Sequence, residues 1–211
     1  MILEAGISEE RIHSVKGPVS DENVLKALIE ETVEKFGKLD ILINNVGIAN
    51  KEGISDRRSM ENLDYVLNVN LKSVIQLTEL AISHLEKSKG NIVCVSSIAA
   101  LHTSPSHFYG IAKAGLDHFV RNYAAILAPS GVRINTLNPG ATETNFFARQ
   151  GFTQENLNKF KDHFPIPLGR WASPIDMANT IIFMASENAS YMTGQNIVVD
   201  GGVLIKSAAI K

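Results

Sequence analysis

The chain has 211 residues, of which 45% are apolar and 20% charged, and its formal net charge is −2. That length and balance suit a single soluble globular domain with a sizeable core. They exclude a basic nucleic-acid face, because Lys and Arg are scattered, and a membrane span, because no apolar run approaches ~20 residues.

The segment RIHSVKGPV (11–19) is a weak strand candidate. Asp21–Phe36 follows as a helix, with Val24, Leu25, Leu28, Ile29, Val33 and Phe36 at spacings of three and four, Ser20 as its cap and Gly37 as its stop. LDILINN (39–45) reads as a strand, and Met60–Leu85 as a helix with a similar apolar stripe. NIVCVSS (91–97) is the next strand, Ser106–Leu127 the next helix, and VRINTLNP (132–139) the third strand. Residues 143–172 break the alternation, and their aromatic residues (Phe146, Phe147, Phe152, Phe160, Phe164) suit a flap over a pocket. Pro174–Met184 is a helix with Pro at its start, and QNIVVDGG (195–202) is the last strand. Strands apolar on both faces, alternating with helices, predict a doubly wound α/β domain with a parallel sheet, one domain over residues 1–211.

Six His are spread without an HxxxH or Cys/His cluster, so no metal site is expected. The lone Cys94 permits no intrachain disulfide, fits a reducing compartment, and sits in a strand pattern that reads as buried rather than nucleophilic. The N-terminal MILEAGISEERIH lacks the features of a signal peptide, and KSAAIK carries no targeting motif, so a cytoplasmic protein is expected.

In an open parallel sheet, ligands bind beyond the carboxyl ends of the strands. Those ends read Asn44-Asn45-Val46-Gly47, Ser96-Ser97, Asn138-Pro139-Gly140 and Asp200-Gly201-Gly202, all small or polar residues that let a ligand approach the backbone. Tyr109 and Lys113 lie one helical turn apart. An ammonium beside a phenol favours tyrosinate and lowers its pKa, so that Tyr109 can exchange a proton with a carbonyl or alcohol oxygen. Ser97 or Ser96 can hydrogen-bond that oxygen, and Asn70 can hold a water linking Lys113 to solvent.

Together these residues resemble the classical short-chain dehydrogenase/reductase family. NNVG resembles the family's NNAG, Asn70 its catalytic Asn, and SSIAA with YGIAK its Ser and YxxxK motifs. NPGATET resembles its PGxIxT, GQNIVVDGG its closing strand, and PLGRWASPIDMA the segment leading into its last helix. The resemblance covers nearly the whole chain from about residue 10. It implies hydride transfer between a carbonyl and a secondary alcohol with NADP or NAD. Tyr109 would be the acid/base, Lys113 would tune it and bind the nicotinamide ribose, Ser97 would stabilise the substrate oxygen, and Asn70 would carry a proton relay. Asn45, Gly47, Tyr109, Lys113, Pro139, Gly140, Thr142 and Thr144 would line the cofactor. The substrate would be a small carbonyl or alcohol, and helices 60–86 and 106–128 would build a homodimer or tetramer.

The sequence also departs from the family pattern. It holds no TGxxxGxG turn, and Met1–Ser8 resembles the tail of the family's second helix. The resemblance therefore implies an N-terminally truncated domain lacking its first two strands, with residues 11–16 deprived of a sheet partner and 40–44 turned into an edge. Such a product is expected to be marginally stable unless a longer form of the chain supplies the rest. Gly17-Pro18-Val19 stands where the family often has Asp-Val, Val46 replaces Ala, and Thr142 replaces Ile. Ser97 lies 12 residues before Tyr109 where the family usually shows 13, a spacing that Ser96 has. Two rival functions remain. One is a catalytically inactive dimerisation or interaction module; the other is a cofactor-free dehydratase or lyase using Tyr109 and Lys113.

Overall fold

The computed structural model describes residues 6–163 and 166–205. Each of the four strong apolar runs forms a strand: β1 (Ile41–Asn44), β2 (Asn91–Val95), β3 (Arg133–Pro139) and β4 (Asn196–Val199). They pair in parallel, in the order β1-β2-β3-β4. The register sets Asn44 beside Cys94 and Val95 beside Leu137, so the polar C-terminal ends of β1, β2 and β3 lie side by side.

The helices are α1 (Glu22–Phe36), α2 (Met60–Leu67), α3 (Ser73–Ser88), α4 (His107–Leu127), α5 (Gln154–His163) and α6 (Pro174–Ala185). Helix α1 starts one residue later than Ser20 predicts: Asp21 is the cap, its carboxylate accepting from Asn23 N at 2.9 Å. Gly37 ends it in the left-handed conformation, as its lack of a Cβ favours. The stripe read over 60–85 continues to Ser88 but is not one regular helix. A single π turn at Asn68–Lys72 joins α2 to α3, with the Ser73 amide reaching back to the Asn68 carbonyl. Such bulges insert one residue into a helix and cluster at functional sites.

Even-numbered residues of β2 and β3 face α1, α3 and α4. There Ile92, Cys94 and Ile134 join Leu85, Leu116, Val120 and Leu127 in the main core. Odd-numbered residues face α6, where Val93 and Leu137 meet Met177 and Met184. Strand β1 is covered on one face only among the described residues. Leu42 and Asn44 are buried, whereas Ile41 is 45% and Ile43 38% exposed. The expectation of two covered faces therefore holds for β2 and fails for β1. The reason is positional, since α6 packs over β2 and β3 and does not extend across the sheet edge.

The segment 11–19 forms no strand. Residues 9–11 make one 3₁₀ turn, and the chain then runs along α1, where Lys35 donates to the Ile12 carbonyl at 2.8 Å and His13 lies 3.1 Å from Glu31. A weakly apolar segment with no adjacent strand has no ladder to join. The helix tail read at residues 1–8 falls mostly outside the described residues, and Gly6, Ile7 and Ser8 are not helical. The stretch 143–172 is more ordered than an irregular flap, since it carries a 3₁₀ turn at Ala148–Gln150 and the helix α5. Among the described residues no helix is long and apolar enough to cross a membrane.

Candidate active site

Helix α4 and the end of β2 build the centre of the site. Tyr109 and Lys113 lie on the face of α4 turned toward the sheet, and Lys113 is only 2% exposed. The turn Ile98–Ala100 that follows β2 packs against α4 at Gly110, where a Cβ would come within 2.9 Å of the Ala99 carbonyl. Glycine at that position is what lets the two segments approach so closely. The approach brings the Ser97 hydroxyl beside the Tyr109 phenol, near enough to pull its pKa down. Ser97 Oγ also caps its own turn, accepting from Ala99 N at 3.1 Å. Ser96 points away into the core, where its hydroxyl donates to the Lys113 carbonyl at 3.3 Å. Ser97, not Ser96, therefore touches Tyr109.

The Lys113 ammonium donates to the carbonyls of Val95 (2.7 Å) and Val46 (3.1 Å), the last residue of β2 and the loop after β1. It sits 5.8 Å from the centre of the Tyr109 ring. Burial lowers its pKa from 10.5 to about 8, opposed by the charges of Cys94 and Asp117. The Tyr109 phenol moves the other way, raised from 10.0 to about 12 by burial, with the Ser97 hydrogen bond pulling it down. The expected lowering of the tyrosine by its lysine is thus not found. The ammonium is turned toward two main-chain carbonyls, and withdrawal of the phenol from water decides the balance.

Asn70 is fully buried in the π turn. Its side-chain amide grips the main chain of Ile48 at both ends, Oδ1 accepting from Ile48 N and Nδ2 donating to Ile48 O, each at 2.8 Å. Both side-chain groups therefore help to hold the loop after β1, and each keeps further capacity, one N–H on Nδ2 and one lone pair on Oδ1. Gly47 sits beside this clamp, and a Cβ on it would lie 3.7 Å from Lys113 Nζ and 3.9 Å from Asn70 Oδ1. Asn45 is exposed at the mouth of the same loop.

The third wall is the loop after β3. Pro139 ends the strand, and Gly140 packs so tightly that a Cβ would meet Asp200 Cα at 2.7 Å. Thr142 Oγ1 donates to the Gly140 carbonyl at 3.1 Å, and Thr144 Oγ1 accepts from Phe146 N at 3.3 Å. Neither threonine touches the Ser97–Tyr109–Lys113 group. Above them Phe146 lies 5.5 Å from the Tyr109 ring, and Phe147 contacts Phe146, Phe152 and Trp171. Gln150 joins this aromatic roof to the opposite loop through Asn50, at 3.2 Å.

Ser97, Tyr109 and the buried Lys113 thus gather where three adjacent strand ends meet, and comparison with known proteins gives the family of the chain as a whole. Residues 3–204 match the family described as enoyl-(acyl carrier protein) reductase. The chain belongs to the short-chain dehydrogenase/reductase family. It is 36% identical to a 3-oxoacyl-(acyl-carrier-protein) reductase of Thermotoga maritima, over 89% of this chain and 75% of that one. It is 33% identical to a meso-2,3-butanediol dehydrogenase of Serratia marcescens, over 95% and 78%. Among solved structures, a cofactor-bound short-chain dehydrogenase/reductase of unknown function from Caenorhabditis elegans superposes with a TM-score of 0.92. Identity to it is 37%, with 98% of this chain and 80% of that one covered. A 7α-hydroxysteroid dehydrogenase solved with NADH and a 7-oxo bile acid superposes at 0.76 with 32% identity, over 87% and 71%.

One functional-site feature escaped the sequence reading. Asp117, one turn after Lys113, is 2% exposed and bonds to Asn138 at 2.8 Å behind Ser97. A carboxylate within the apolar stripe of a buried helix is the signal that marks it.

Proposed function

We propose that the chain interconverts a carbonyl and a secondary alcohol, with a nicotinamide dinucleotide, NADP or NAD, as hydride carrier. The observation that carries this reading is the buried Lys113 ammonium 5.8 Å from the Tyr109 ring, with Ser97 beside the phenol at the end of β2. When bound, the nicotinamide ring supplies or accepts the hydride. The residues present suit it. Val46 and Val95 take two of the three ammonium protons of Lys113, which leaves one donor facing Gly47 for a ribose hydroxyl. Asn45 and Gly47 after β1, and Pro139, Gly140, Thr142 and Thr144 at and after the end of β3, would line the cofactor.

In the reducing direction Tyr109 gives its proton to the carbonyl oxygen while Ser97 donates a hydrogen bond to the same oxygen. A phenol raised to about 12 is fully protonated at neutral pH, as a proton donor must be. In the oxidising direction the alcohol proton returns to the Tyr109 oxygen, which must first have lost its own proton to solvent and stand as tyrosinate. Asn70 positions the loop that carries Gly47 through its two bonds to Ile48. Phe146, Phe147, Phe152 and Trp171 form an apolar roof that keeps water off the reacting carbon and favours a substrate with an uncharged, hydrophobic body.

The helices at 60–86 and 106–128 are the proposed homodimer or tetramer contact. Exposed Met60, Tyr65, Ile111 and Ile126 on them support that reading. A cytoplasmic setting suits the single thiol. The test is titration of the purified chain with NADPH and then NADH, following nucleotide fluorescence and melting temperature. Saturable binding with a raised melting temperature is expected. Absence of binding to both nucleotides refutes the catalytic reading and favours an interaction module.

A further inference from the structure

We infer that Asp117 is a positioning residue for Ser97, acting through the side chain of Asn138; this rests on the reading of Ser97 and Tyr109 as the reacting pair. A single amide nitrogen makes the link. Asn138 Nδ2 donates one proton to Asp117 Oδ2 at 2.8 Å and the other to the Ser97 carbonyl at 3.1 Å. The oxygen of the same amide accepts from Thr136 Oγ1 at 3.0 Å. All three side chains are at most 2% exposed. The carboxylate and the Ser97 carbonyl, which only accept, fix which end of the amide is nitrogen, and the Thr136 hydroxyl, free to donate or accept, turns its proton to the oxygen that is left.

Ser97 sits at the receiving end. Its carbonyl takes Asn138 Nδ2 and the Ala100 amide (3.0 Å), and its hydroxyl takes the Ala99 amide before it reaches Tyr109. Asp117 is one turn along α4 from Lys113, and the Ser96 hydroxyl, which bonds the Lys113 carbonyl, also lies against its carboxylate. The network thus ties the helix that carries Tyr109 and Lys113 to the strand ends that carry Ser97 and Asn138. Burying a carboxylate is unfavourable unless donors compensate it, and Asp117 Oδ1 has no bonded donor among the described residues. A leucine there would extend the apolar face of Leu116 and Val120 without that penalty. What the carboxylate supplies instead is the acceptor for Asn138 behind Ser97.

The full chain is compared with Asp117→Leu, which removes the acceptor, and Asp117→Asn, which keeps an oxygen for Asn138. One readout is amide hydrogen exchange of Ala99 and Ala100 against Ile92–Val95. The other is NADPH oxidation with 2,3-butanedione as the probe carbonyl. Asp117→Leu is expected to speed exchange at Ala99 and Ala100 by about tenfold while Ile92–Val95 stay protected. It should lower kcat about ten- to hundredfold with the KM for NADPH unchanged. Asp117→Asn should stay close to wild type in both. Unchanged exchange at Ala99 and Ala100 in Asp117→Leu overturns the inference, as does an Asp117→Asn variant that behaves like Asp117→Leu. Uniformly faster exchange across β2 overturns it too, since that would make Asp117 a stability residue only. If Asp117→Leu does not fold, Thr136→Val releases the amide oxygen of Asn138 and must give the same local exchange signature, or the inference fails. A wild-type chain that oxidises no NADPH sinks the catalytic reading, while the exchange arm still decides the role of Asp117.

Discussion

Replacing Lys113 by Met removes a buried ammonium whose pKa is lowered from 10.5 to about 8, chiefly by burial. The unfolded chain holds that proton up to about pH 10.5, whereas the folded chain releases it near 8. Below pH 8 both states are protonated and the full penalty of burying the charge is present. Between pH 8 and 10.5 the unfolded state binds more protons, so stability rises with pH. From pH 8 to 10, at about 1.36 kcal/mol for each unit, the gain is about 2.7 kcal/mol. Two groups work in the opposite direction. Cys94 is raised from 9.0 to about 12, chiefly by burial, and Tyr109 from 10.0 to about 12, so the folded chain keeps those protons longer. Their contribution falls above pH 9 and above pH 10 in both proteins, and loss of the Lys113 charge, which holds the Cys94 thiol down, raises that thiol further in Lys113→Met. The variant also strands the carbonyls of Val46 and Val95, an offset of about 1–3 kcal/mol each that does not vary with pH. Urea unfolding of both proteins at pH 7, 8, 9 and 10 isolates the lysine. The wild type should gain about 2.7 kcal/mol on the variant across the two upper units, with equal m-values. Parallel stability curves would show that Lys113 titrates like a solvated lysine, and the account of its burial would be wrong.

Tyr109→Phe should lower carbonyl reduction by about 10²–10⁴-fold and leave nucleotide affinity within about threefold, as read by NADPH oxidation and by fluorescence titration. Ser97→Ala should cost about 10²-fold in kcat. Ser96→Ala should instead act on stability, by about 1 kcal/mol in denaturant unfolding, because its hydroxyl bonds the Lys113 carbonyl and not the phenol. Gly110→Val should lower both the melting temperature and kcat, since its first carbon meets the Ala99 carbonyl at 2.9 Å and pushes the Ser97 turn off α4. Ile43→Lys on the open face of β1 should change stability by no more than about 0.5 kcal/mol and reduce concentration-dependent light scattering, because the side chain is already 38% exposed at a sheet edge.

Several features were legible in the chain itself. The four runs dense in Ile, Val and Leu became the four strands, and β2, apolar on both faces, lies where both faces of the sheet are covered. The i,i+4 spacing put Tyr109 and Lys113 on one face of α4 whatever packed against it. The small and polar residues that close β1, β2 and β3 were legible as well, and the parallel register sets those ends side by side. The segment 11–19 misled because strand formation depends on a neighbouring backbone that local composition does not report. Helix continuity misled at Asn70, because a π turn differs from α by one inserted residue and keeps the same apolar stripe.

Other properties were decided only by tertiary contact. Spacing left Ser96 and Ser97 both open, and the close approach of the Ile98–Ala100 turn at Gly110 set Ser97 against the phenol. The direction of the Tyr109 pKa depended on how deeply the ring is withdrawn from water and on which carbonyls hold Lys113, quantities that follow from packing rather than from residue order. The pairing of Asp117 with Asn138 joins residues far apart in sequence, and only the parallel register of β2 and β3 beneath α4 brings them within hydrogen-bonding distance. The sequence determines which side chains are available and which face of each element they share. The fold determines how far each is desolvated and which partner it meets, and the chemistry of the site rests on those two quantities.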